Sequence, residues 1–149
     1  MENEVRSAAR LIVVDSDRRV LLFLHADGHG REFWATPGGG VEPGETTEQA
    51  AHREAVEELG ATDFELRRLW SGHSEFLYAN RRVSQAETFF LFTQNSAFLG
   101  PDVAEIHNKE GIVKIRWWSV QEIENSREPI FPADLSRRLK EHRLVHHTK

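Results

Sequence analysis

Three consecutive glycines, Gly38 to Gly40, stand between Pro37 and a second Pro-Gly step at Pro43-Gly44, and a run rich in glutamate follows directly. This is the strongest local constraint in the chain. Glycine and proline break regular structure there, and Thr46 then supplies a helix cap, with Gln49 three residues on as its reciprocal partner. Gly60 ends the pattern, as a glycine just past a helix C-terminus does. A helix over Thr46 to Leu59 follows. On it Glu54, Glu57 and Glu58 fall at i, i+3 and i+4, along one side. Ala50 and Ala51 lie on that side one turn earlier and are expected to leave space above it. Ala55, Val56 and Leu59 lie roughly opposite and are expected to pack on a sheet. Three carboxylates on one stripe repel one another, by several tenths of a kcal/mol per pair in an isolated helix. A solvated acidic face is one outcome. A hard divalent cation, which takes oxygen ligands and keeps waters for substrate phosphates, is the other.

Charge locates the same segment. The chain has 149 residues, 24 acids and 19 bases, a formal net charge of -5. Gly39 to Ala61 holds six glutamates and one arginine, and the remainder balances at 18 acids to 18 bases. No basic footprint for polymeric nucleic acid is present. The absence of cysteine removes disulfide frameworks, thiolate zinc sites and cysteine nucleophiles, and makes a cytoplasmic setting the default. The acidic N-terminus and the short apolar run Leu11 to Val14 build neither a signal peptide nor a membrane span. The composition, 39% hydrophobic and 29% charged, is that of a globular chain, and the length suits one domain over residues 1–149.

Elsewhere, Ala8 to Val14 and Val20 to Leu24 read as two strands of a hairpin around the turn residues Asp15 to Arg18. Phe64 to Leu69, His73 to Tyr78, Glu87 to Thr93 and Lys114 to Ser119 read as further strands, with a turn at Ala79 to Arg82. Gly100 to Gly111 is a long polar loop. Ser119 to Asn125 reads as a short helix, and Pro132 to Val145 as a longer one that buries Leu135, Leu139 and Leu144.

The spacing from Gly39 through Glu45 to Arg53-Glu54-Ala55-Val56-Glu57-Glu58-Leu59-Gly60-Ala61 resembles the Nudix box. All 23 positions are covered and every fixed Gly, Glu and Arg is present. Chance alone matches seven fixed positions on the order of once in 10⁸ windows. Alanine fills both aliphatic positions, Ala55 and Ala61. The order of elements around the box resembles a Nudix domain too. This resemblance implies an α+β fold, an α/β/α sandwich with a mixed β-sheet, and hydrolysis of the pyrophosphate bond of a nucleoside diphosphate linked to another moiety. It implies Mg²⁺ as cofactor, with Mn²⁺ as a substitute.

By the same resemblance Glu57 and Glu58 are metal ligands, and Glu54 is a further ligand or the base that activates water. Gly38, or in its place Gly39, offers a backbone carbonyl to the metal. Arg53 holds the carboxylates, and Glu45 fixes the turn to the helix. Gly39 and Gly60 are structural. An extra acid late in the domain is expected from Glu105, Glu110 or Glu87, each of which could equally be a solvated charge. Trp34, with Phe33, stacks on a base or packs in the core. Arg10 reaches a phosphate or is a satisfied structural arginine. Tyr78 resembles a tyrosine of dinucleoside-polyphosphate members, or packs on its strand. The signatures of the ADP-ribose, NADH and coenzyme A branches are missing. The partner expected is a small nucleotide-type diphosphate, with a homodimer as a further expectation. The competing reading is a non-catalytic nucleotide-binding or sensor domain of the same type; it accounts less well for the retention of Glu54, Glu57 and Glu58.

Overall fold

A computed structural model describes residues 4–94 and 111–145. In chain order they form β1 (Glu4–Val13), β2 (Val20–Ala26), β3 (Glu32–Ala35), β4 (Gly38–Gly40), α1 (Thr47–Leu59), β5 (Phe64–Tyr78), β6 (Arg81–Gln94), β7 (Ile112–Trp118), α2 (Val120–Glu124), β8 (Ile130–Phe131) and α3 (Leu135–Glu141). The strands make two four-stranded sheets, ordered β4-β1-β6-β5 and β7-β2-β3-β8. Both are mixed, with β1 parallel to β6 and β3 parallel to β8.

The expected hairpin of the first two strands is corrected. Past a single bridge between Val14 and Val20, β1 and β2 diverge into different sheets. Both strands need cover on two faces. Ala8, Ala9, Leu11, Ile12 and Val13 are buried on both faces of β1, as are Val20 to Leu24 on β2. Strands apolar on both faces must be covered on both, which β1 and β2 achieve by lying in two sheets packed on each other and on helices. Ala9, Leu11 and Val13 of β1 join Leu21 and Phe23 of β2 in one core beneath α1, while Ile12, Val20, Leu22 and Leu24 join a second core with α2 and α3. The two sheets thus form the middle layer of an α/β/α sandwich.

Other boundaries shift for local reasons. The two strands expected within 64–78 are one strand, because the ladder to β6 absorbs an irregularity at Arg68/Trp70 and runs on through Ser71 and Gly72. It turns over Ala79 and Asn80, with φ of 51° and 63°, the left-handed pair a two-residue hairpin requires. The last helix is shorter than the expected 132–145, although Leu135, Leu139 and Leu144 are buried as its pattern demands.

On α1 the capping box of Thr46 and Gln49 is present, and Gly60 closes the helix at φ 62°. The facing of the helix differs from expectation. Its buried side carries Ala50, Ala51, Glu54, Ala55, Glu58 and Leu59, whereas Val56 is 47% exposed. The small alanines face the sheet and bring the helix close to it, so they do not leave space for a ligand. Among the described residues no helix is long and apolar enough to cross a membrane.

Candidate active site

The glycine run is an edge strand. Gly38, Gly39 and Gly40 pair antiparallel with Arg10, Ala9 and Ala8 of β1. At Gly38 no other residue fits, since φ is 130° and an added Cβ would stand 2.1 Å from the Ala9 carbonyl oxygen. This bare strand meets the buried side of α1. The Gly38 amide donates to Glu58 Oε1 at 2.6 Å. Glu54 and Glu58 are 7% and 8% exposed, while the Glu57 side chain is about half exposed.

Arg53 ties helix, turn and strand together. Its Nε and Nη2 donate to the two oxygens of Glu45 at 2.8 and 3.0 Å, a bidentate pair. Nη2 also reaches the Gly40 carbonyl at 3.0 Å, and Nη1 reaches Glu54 at 2.9 Å and Glu57 at 3.4 Å. The guanidinium, together with the Glu42 amide, holds the Glu45 carboxyl down at about 2, against an ordinary 4.5. The same pairing raises Arg53, already always charged, further.

Among the described residues no three carboxylates or imidazoles are gathered as a ready-made metal cage. The donor set still suits a hard cation through its three carboxylates on one helix, while the strand carbonyls of Gly38 and Gly40 already accept from Arg10 and Arg53. Glu105 and Glu110 lie outside the described residues. Glu87 lies on β6 with its side chain on the sheet face away from α1, the face of Phe89 rather than of Phe90. There it pairs with Arg10, whose Nε donates to Oε2 at 3.2 Å.

A cavity of about 170 Å³ opens beside Arg10. Arg6, Arg10 and Gln85 give it polar walls, and His25, Phe33, Phe76 and Tyr78 give it aromatic ones. Phe33 stacks on His25 at 5.3 Å, with the two rings 8° apart, and meets Tyr78 edge-on at 6.3 Å. Trp34 as a base-stacking residue is corrected. It is 2% exposed and packs edge-on against Trp118 at 5.1 Å, in the core under α3. Alternation along β3 turns its neighbour Phe33 to the cavity instead. A larger cleft of about 420 Å³ lies beyond Phe131, between Trp70, Ser74 and Glu87 on one side and Asp134 and Arg138 on the other. Arg6, His25, Phe76 and Gln85 escape sequence reasoning; the one available signal is that Arg6 and Arg10 share parity on an apolar strand.

The model of the NUDIX domain matches residues 4–139. The chain belongs to the Nudix family. The carboxylate helix, the glycine strand and Arg53 above are its Nudix box in three dimensions. A stretch of 67 residues is 42% identical to the oxidized purine nucleoside triphosphate hydrolase of Danio rerio, over 45% of this chain and 43% of that protein. A stretch of 55 residues is 42% identical to the RNA pyrophosphohydrolase of Serratia proteamaculans (strain 568), over 37% of this chain and 31% of that one. The chain thus matches less than half the length of these curated relatives. The crystal structure of the MutT protein from Methanosarcina mazei Go1 shares the fold, with a TM-score of 0.66 at 19% identity over 95% of this chain and 94% of that one. Nudix proteins generally use divalent metal cations.

Proposed function

We propose that this Nudix protein, read as one domain over residues 1–149, is a Mg²⁺-dependent hydrolase that cleaves the pyrophosphate bond of a small nucleotide-type substrate in the cytoplasm, Mn²⁺ serving as a substitute. The observation that carries the reading is the meeting of Glu54, Glu57 and Glu58 with the glycine strand, under a single clamping arginine. Glu57 and Glu58 would hold the cation, the Gly38 carbonyl, which also accepts from Arg10 Nη1 at 3.2 Å, would be a main-chain donor to it, and Glu54 would be a further ligand or the base. Such a cation would supply neutralisation of the phosphate oxygens and activation of water. Water oxygen forms a bond to phosphorus as the bridging P–O bond breaks. In the base role Glu54 takes the water proton, and the departing phosphate oxygen carries away the electron pair. Arg53 keeps the carboxylates from splaying apart. Phe33 and Tyr78 give the substrate base aromatic faces, and Arg10 lies between that pocket and the glycine strand. The names of the two curated relatives, a nucleoside triphosphate hydrolase and a pyrophosphohydrolase, support the reaction class. A homodimer is part of the reading.

The test is product analysis with Mg²⁺ and a panel of nucleoside triphosphates (oxidised purines included), nucleotide sugars, ADP-ribose, dinucleoside polyphosphates and 5′-triphosphorylated RNA. Glu57→Gln, at a half-exposed position, is expected to stay folded and lose nearly all turnover. A Glu57→Gln variant as active as the parent refutes the metal assignment. A panel left uncut, with nucleotides still bound, favours the sensor reading.

A further inference from the structure

Glu87 is an acid only 4% exposed, two strands in from the edge where α1 and β4 meet. Both of its oxygens are engaged. Ser74 Oγ donates to Oε1 at 2.7 Å, while Gln85 Nε2 at 3.0 Å and Arg10 Nε at 3.2 Å donate to Oε2. Arg10 in turn reaches forward, its Nη1 donating to the Gly38 carbonyl at 3.2 Å and the Thr36 carbonyl at 3.4 Å. Gly38 is thus held on both sides of its Cα. The peptide before it is held through its amide by Glu58 of α1, and the peptide after it through its carbonyl by Arg10. A residue with no side chain, at φ 130°, is the one most in need of such restraint.

We propose that Glu87 is a positioning residue: acting through Arg10, it fixes Gly38 and so the seat of Glu58, linking the aromatic pocket that Arg10 lines to the carboxylate helix. This rests on the reading that the α1 carboxylates hold a divalent cation. It departs from a role for Glu87 as an extra metal ligand, because its carboxylate faces away from α1 across the sheet. It departs equally from a solvated charge, because burying an acid without partners is costly and this one has three.

The probes are Mn²⁺, titrated and followed by electron paramagnetic resonance, and hydrogen exchange of the Gly38 amide followed by NMR. Glu87→Gln keeps the shape and both neutral contacts. It is expected to weaken Mn²⁺ binding about tenfold, as loss of a supporting partner of a metal site does, and to speed Gly38 exchange. Arg10→Gln decides between roles. Removing a cation near an acidic site tightens Mn²⁺ binding if charge alone matters, or if Glu87 is itself a ligand. Positioning requires that binding weaken, and that the double variant be no worse than the poorer single one. Arg10→Lys, which keeps the charge and loses the fork, is expected to act in the same direction and serves should Arg10→Gln not fold. Tighter or unchanged Mn²⁺ binding in the Arg10 variant, unchanged Gly38 exchange, or additive losses overturn the proposal. If the parent binds no Mn²⁺, the cation reading falls, and the Gly38 exchange rates still decide whether Glu87 and Arg10 hold the strand.

Discussion

Gly38→Ala isolates the close approach on which the site depends, and Gly44 provides the control. Both residues have positive φ, 130° and 82°. An added Cβ at Gly44 meets nothing within 4 Å, whereas at Gly38 it would lie 2.1 Å from the Ala9 carbonyl oxygen and 2.8 Å from Arg10 Cα. Gly44→Ala therefore bears backbone strain alone, about 1–2 kcal/mol. Gly38→Ala bears the larger strain of an essentially glycine-only φ, about 1–3 kcal/mol, and must also push β4 off β1. The bonds at stake are Leu11 N–H to Pro37 O at 2.8 Å and Val41 N–H to Ser7 O at 2.9 Å, which flank the pair. At about 1 kcal/mol each, with the strain, the loss is about 3–5 kcal/mol, and the melting temperature falls by roughly 10 °C for a chain of this size. Urea unfolding of the two variants against the parent measures the difference. Equal losses, within about 0.5 kcal/mol, would mean that the Ala9 contact does not dictate glycine here, and the account of why this strand lies against β1 would fail.

Glu45 is held at about 2 in the folded chain against an ordinary 4.5, so its contribution to stability is complete above pH 4.5 and is lost as pH falls toward 2. Glu45→Gln is expected to flatten that acid limb in urea midpoints measured across the window; an unchanged limb refutes the Arg53 pairing as its cause. Arg53→Lys keeps the charge but not the fork that reaches Glu45, Glu54 and Gly40 together, and kcat is expected to fall about 10–100-fold while the variant stays folded. Equal kcat would show the fork to be dispensable. Phe33→Ala removes a stacking face from the pocket and is expected to raise KM or Kd for the substrate about tenfold, with kcat little changed; a fall in kcat alone would move the base elsewhere.

What was legible in the sequence was local. The cap of α1, its partner at Gln49 and its stop at Gly60 are set by contacts within a few residues, and all three are found in place. Partner choice between strands is not local. Nothing in Ala8 to Val14 says that its neighbours are Gly38–Gly40 and Arg81–Gln94 rather than Val20–Ala26, because apolar strands buried on both faces look alike whichever sheet they join. The facing of α1 misled for a different reason. Periodicity assigns charge to solvent and Val56 to the core, yet Glu54 and Glu58 turn inward because Arg53 and the Gly38 amide meet them there. The same limit hid the pocket. Arg6, His25, Phe76 and Gln85 come from four strands and converge only after both sheets are assembled.

The charge of the Nudix box can now be followed residue by residue. Of its six glutamates, Glu48 pairs outside the segment with Arg68, and Glu58 takes the Gly38 amide. Glu42, Glu45, Glu54 and Glu57 all lie within 4 Å of the same guanidinium, at 3.9, 2.8, 2.9 and 3.4 Å. One cation cannot balance four acids, and Glu45 holds it in the bidentate geometry that binds most strongly. Glu57 is therefore arranged around a charge committed mainly to another residue. The excess is local, since the rest of the chain is neutral. An anionic substrate would add to that repulsion rather than relieve it. A divalent cation relieves both at once, which makes the arrangement of these acids, more than their number, the physical case for a metal-dependent reaction at this end of α1.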